Sequence, residues 1–83
     1  MMTLASTTVV ILGGSSGIGL ATAKAAIAEG ARVVITGRSP ERLQAAKAVL
    51  GDDVRTVALD VVDEAGTRAL FTELERVDHV FIT

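Results

Sequence analysis

Leu12-Gly13-Gly14-Ser15-Ser16-Gly17-Ile18-Gly19 places Gly13, Gly17 and Gly19 at the junction of a strand and a helix. It follows the aliphatic run Val9-Val10-Ile11-Leu12. It also opens a segment, Gly17 to Glu29, in which Ile18, Leu20, Ala23 and Ile27 recur at helical spacing until Gly30 stops it. A glycine-rich turn between a strand and a helix has a physical use for each glycine. Gly13 lets the chain leave the strand tightly, Gly17 lets the backbone approach a ligand, and Gly19 lets the helix lie against a sheet with no Cβ between them. The N–H groups of Gly17, Ile18 and Gly19, aimed along the helix dipole, suit a pyrophosphate, and Ser15 and Ser16 can add hydroxyl donors. No Lys-Ser or Lys-Thr pair follows the glycines, which argues against a nucleoside-triphosphate loop. The spacing Gly13-x-x-x-Gly17-x-Gly19 also differs from the commoner dinucleotide pattern Gly-x-Gly-x-x-Gly. On the local sequence alone, a turn without a ligand stays open.

Working outward, three more short runs match Thr8 to Leu12 in length and β-branched content: Arg32 to Thr36, Arg55 to Leu59, and His79 to Thr83. Their apolar residues are mostly consecutive, as in strands covered on both faces, which predicts a parallel sheet. Two further helices lie between them. One is capped by Ser39, has Pro40 at its first position, carries Leu43, Ala46 and Leu50, and ends at Gly51; the other starts after Asp63, with Glu64 in its first turn and Leu70, Phe71 and Leu74 on one side. The order β-α-β-α-β-α-β with right-handed crossovers predicts an α/β, Rossmann-type doubly wound parallel sheet, strand order 3-2-1-4, incomplete at its far edge. The first two helices then cover one face and the third covers the other. A ligand crevice forms at the carboxyl ends of strands one and four.

Composition narrows the function classes. The 83 residues are 49% hydrophobic, carried by Ala, Val, Ile and Leu, with Phe71 and Phe81 the only aromatic residues. So much apolar material in a short chain suggests surface meant to be covered by further chain. The formal charge of −2 and the scattered Arg32, Arg38, Arg42 and Lys47 argue against nucleic acid as the main partner. The absence of cysteine excludes disulfides and thiolate metal sites, and His79 alone cannot build a metal site. No apolar run approaches the ~20 residues that cross a bilayer, so a soluble cytoplasmic location is expected.

The end of the second strand bears on the cofactor. NAD-preferring folds place Asp or Glu there, about 20 residues after the glycines, to hold the ribose hydroxyls. Here Thr36-Gly37 is followed by Arg38 and Ser39, and a guanidinium can hold a 2′-phosphate through paired, charge-assisted hydrogen bonds. This points to NADP(H). It also weighs against a site for S-adenosylmethionine, where an acid usually holds the ribose.

The glycine spacing with Ile18, together with Thr36-Gly37-Arg38 and Asp60-Val61, resembles the short-chain dehydrogenase/reductase family over essentially the whole chain. Leu12 stands where that family usually has Thr, so a hydroxyl that braces the turn is missing. The resemblance implies that the Asp60 carboxylate and the Val61 N–H bind adenine. It further implies hydride transfer between a nicotinamide and a carbonyl or alcohol carbon, with a Tyr acid/base, a nearby Lys and a Ser. The sequence has no tyrosine, and Lys47 has no Tyr four residues before it, so no catalytic residue is assigned here.

The expectation is therefore that residues 1–83 form the first part of a single NADP-binding domain whose chemistry lies elsewhere in a longer enzyme. It would associate with the rest of that domain or with itself. The competing expectation is a non-catalytic NADP-binding sensor or docking module.

Overall fold

The computed structural model describes residues 7–13, 17–60, 62–74 and 76–82. Ser15, Ser16, Val61 and Thr83, each singled out above, lie outside the described residues. The elements run β1 (Thr8–Leu12), α1 (Gly17–Ala28), β2 (Arg32–Gly37), α2 (Pro40–Leu50), β3 (Val54–Ala58), α3 (Glu64–Leu74) and β4 (His79–Ile82).

All three strand pairings are parallel, and the sheet order is β3-β2-β1-β4. Strand alternation divides the core in two. Val9, Ile11, Val33 and Ile35 face α1 and α2, where they meet Ala23, Ala26, Leu43 and Ala46. Val10, Leu12 and Val34 face the other way and meet Leu70 of α3, with Phe71 and Leu74 packed alongside. The reversal after β3 thus carries the chain to the opposite face, as the doubly wound topology requires.

Local signals set the helix ends. α1 closes in a Schellman turn: Gly30, at φ 86°, donates its N–H to the Ile27 carbonyl at 2.9 Å, and the Ala31 N–H reaches the Ala26 carbonyl at 3.1 Å. α2 begins at Pro40, with the Ser39 hydroxyl accepting the Arg42 N–H at 3.3 Å, and ends where the Gly51 N–H donates to the Lys47 carbonyl at 2.8 Å. α3 is capped by Asp63, whose Oδ1 accepts the Gly66 N–H at 2.9 Å.

Three expectations are corrected. Ile18 is 78% exposed; the packed stripe of α1 is Gly19, Ala23 and Ala26, flanked by Leu20 and Ile27, and Ile18 lies a third of a turn away from it. β3 begins one residue early, because the turn at Asp52 and Asp53 delivers Val54 opposite Val33, and it ends at Ala58. β4 reads as a strand covered on both faces, yet Val80, Phe81 and Ile82 are 46%, 44% and 76% exposed. Among the described residues, only β1 pairs with β4. A groove of about 250 Å³ between β4 and α1 is lined by Phe81, His79, Thr22, Ala25, Ala26 and Glu29, above Val9.

Candidate cofactor site

In a parallel sheet all strands finish at the same rim, so the segments after β1, β2 and β3 meet there. Gly13 leaves β1 at φ 89°, a conformation that favours glycine, and donates its N–H to the Thr36 carbonyl at 2.9 Å and to the Thr36 hydroxyl at 3.4 Å. The Leu59 N–H donates to the Gly37 carbonyl at 2.9 Å. These bonds tie the exits of three strands into one ridge.

α1 starts at this rim. Gly17 sits at φ 61°, and a Cβ at this position would meet nothing within 4 Å among the described residues. The first turn carries no acidic side chain, and its leading N–H groups have no acceptor within the helix. Gly19 is buried against the sheet. Donors without a recorded partner among the described residues, together with the helix dipole, fit an anion.

Arg38 and Ser39 follow β2 at the same rim. Arg38 is exposed, and its guanidinium has no hydrogen-bond or ion-pair partner among the described residues. The Ser39 Oγ accepts from α2, but its hydroxyl still has a hydrogen to donate. Asp60, after β3, is half committed: its Oδ1 accepts the Val62 N–H at 3.1 Å and its carbonyl accepts the Asp63 N–H at 2.9 Å. That turn holds the carboxylate at the rim, and Oδ2 has no recorded donor among the described residues.

The structure thus brings Gly13, Gly17, Gly19, Arg38, Ser39 and Asp60 to one end of the sheet. Ile18 contributes its backbone there, while its side chain faces solvent. Lys24 is exposed on α1, and His79 opens β4 at the opposite end. Sequence reasoning gave no role to Thr36, which is fully buried and is the one buried polar residue among those described. The visible signal was a hydroxyl closing the apolar run Val33-Val34-Ile35.

At the other end, the Asp78 Oδ2 accepts the Thr8 N–H at 2.7 Å, and the Asp78 N–H donates to the Thr8 carbonyl at 2.9 Å. The bond from the Thr8 N–H is the main cause holding the Asp78 carboxyl below its usual value of 3.8. Slight desolvation opposes it, and Arg76, 3.2 Å away, adds to it.

With this geometry established, comparison with known proteins is specific. The family model described as short chain dehydrogenase matches residues 7–81. The chain is 46% identical over 63 residues to serine 3-dehydrogenase of Rhizobium radiobacter, covering 76% of this chain and 25% of that protein. It is 48% identical over 68 residues to the NADP-dependent (R)-specific alcohol dehydrogenase of Lentilactobacillus kefiri, covering 80% of this chain and 27% of that enzyme. The crystal structure of a short chain dehydrogenase from Bacillus anthracis superposes with a TM-score of 0.80 at 34% identity, over 93% of this chain and 34% of the other. A Rossmann-type sheet with a glycine turn spaced in this way belongs to a nicotinamide-dependent oxidoreductase class. This chain is a member of the short-chain dehydrogenase/reductase family. It spans about a quarter of the length of the curated relatives it matches, at 25% and 27%.

Proposed function

We propose that this chain is the NADP(H)-binding part of a cytoplasmic oxidoreductase that moves hydride between the nicotinamide and a carbonyl or alcohol carbon. The observation that carries the reading is Arg38: an uncommitted guanidinium at the end of β2, where an acid would select against a 2′-phosphate, on the same rim as an acid-free helix N-terminus. The name of the Lentilactobacillus kefiri relative states the same cofactor for that enzyme.

In this reading the N–H groups of Gly17, Ile18 and Gly19 hold the pyrophosphate, supported by Gly13 at the turn and by the hydroxyls of Ser15 and Ser16. Arg38 and Ser39 hold the 2′-phosphate. Asp60 accepts from the adenine amino group, and the Val61 N–H reaches a ring nitrogen. When bound, NADP(H) supplies or accepts the hydride. The chain's own residues bind and orient. With no tyrosine in the sequence, the proton is handled by further residues of a parent enzyme. That same absence favours a second reading, in which this chain binds NADP(H) without turning it over, as a sensor or docking module.

β4 supports the idea of further chain. A natural sheet edge is usually short, charged or covered, whereas among the described residues His79-Val80-Phe81-Ile82 has no partner on its outer side and carries exposed apolar residues beside the α1 groove. The rest of a parent domain, or failing that a second copy, would cover it.

Calorimetric titration with NADPH, NADH and S-adenosylmethionine tests the reading. NADPH is expected to bind more tightly than NADH by about tenfold or more, as a charge-assisted bond to the 2′-phosphate is worth, with no binding of S-adenosylmethionine. Equal affinity for the two nicotinamides would remove Arg38 from its assigned role.

A further inference from the structure

We infer that Thr36 is a positioning residue for the glycine turn: its hydroxyl, delivered from β2, adds a second and longer acceptor to the Gly13 N–H beside the Thr36 carbonyl, and so helps to fix the exit of β1 from which the cofactor-binding turn departs. This inference rests on the reading of the rim as an NADP(H) site.

Thr36 lies opposite Leu12 on one side and Val57 on the other, and alternation places it on the same face as Val34. The layer it joins is otherwise apolar: Val10, Leu12, Val34 and Leu70, with Val57 and Leu59 packed against it. A fully buried position in such a layer is suited to valine, which has the same shape as threonine and no polar atom to desolvate. Burying a hydroxyl is unfavourable unless it is hydrogen-bonded. The bond recorded for this hydroxyl is to Gly13, at 3.4 Å, shared with the 2.9 Å bond to the Thr36 carbonyl. One residue thus grips the first glycine of the turn at two atoms.

The placement also connects two parts of the site. Leu12, the residue before Gly13, has no hydroxyl of its own to brace the turn. The brace comes from the neighbouring strand, two residues before Arg38. The turn that would meet the pyrophosphate and the segment that would meet the 2′-phosphate are therefore held in register through Thr36. Displacing Gly13 would move the exit of β1 relative to Arg38, and a cofactor spanning both would lose affinity without loss of any contacting residue.

Two variants of the 83-residue chain separate positioning from packing. Thr36→Val removes the hydroxyl and keeps the shape; Thr36→Ser keeps the hydroxyl and loses a buried methyl group. Thr36→Val should bind NADPH about fivefold more weakly with an unchanged or higher Tm, whereas Thr36→Ser should bind within about twofold of the parent chain with a lower Tm. In the ligand-free protein, the Gly13 amide should shift upfield and exchange faster in Thr36→Val and stay in place in Thr36→Ser. Affinity that follows Tm rather than the hydroxyl, or a Gly13 amide indifferent to Thr36→Val, overturns the positioning role and leaves the cofactor reading intact. Failure of the parent chain to bind NADPH overturns both.

Discussion

The two ends of the sheet use their polar groups in opposite ways. At the amino ends of the strands they are committed to one another: Asp78 takes the Thr8 N–H, Arg76 pairs with Asp78, Arg55 pairs with Glu73, and the Arg32 N–H donates to the Thr7 carbonyl at 2.8 Å. At the carboxyl ends the leading N–H groups of α1, the guanidinium of Arg38 and one oxygen of Asp60 have no recorded partner among the described residues. The same strands serve both ends, so the sheet does not cause the difference. One end closes the fold, and the other carries groups that have no recorded partner among the described residues.

If the ends divide the work this way, changes at the rim should cost binding and changes at the opposite end should cost stability. The largest effect is expected at Gly17, where valine would have to adopt φ 61° at the start of the first turn. Gly17→Val should weaken NADPH binding by more than about a hundredfold. The left-handed conformation costs about 1–2 kcal/mol, so Tm should drop only modestly. Next is Arg38→Ala: NADPH affinity should fall about tenfold to a hundredfold while NADH affinity and Tm hold. A comparable loss for NADH would show that Arg38 does not read the 2′-phosphate.

The opposite end should respond to acid. Because the folded state holds the Asp78 carboxyl below 3.8, the stability it contributes is fully present above that value and is lost as pH falls through the lower folded value. Chemical denaturation across that range should show a decline that Asp78→Asn removes, with NADPH affinity at neutral pH unaffected. The smallest effect belongs to Arg55→Ala. Its pair with Glu73 is 47% and 61% exposed, and its loss should change stability by no more than about 0.5 kcal/mol.

How much of this could be read from the sequence depends on how local the signal is. Ser39, Pro40, Gly51 and Asp63 act on residues within one helical turn, and the ends of α2 and the start of α3 fall where those residues put them. Consecutive Val and Ile residues indicated a parallel sheet, and the chain order with its crossover handedness then placed α3 on the second face. The bond from Thr8 to Asp78 joins residues 70 apart in the chain, and that from Gly13 to Thr36 joins residues 23 apart. Both depend on strand register, which composition does not reveal. Ile18 was misplaced because an apolar residue in the first turn of α1 fits the helical period loosely, and the small residues Gly19, Ala23 and Ala26 form the stripe that packs. The covered strand read from Val80-Phe81-Ile82 fails because apolar side chains alone do not supply a cover: all three are exposed, and among the described residues only β1 pairs with β4.

Amide chemical-shift mapping during an NADPH titration of the chain addresses the division between the two ends most directly. The shifts should gather at Gly13, Gly17, Ile18, Gly19, Arg38, Ser39 and Asp60, while Thr8, Arg32, Arg55 and Asp78 stay still. Shifts centred on the latter group, or none at saturating NADPH, would contradict that division.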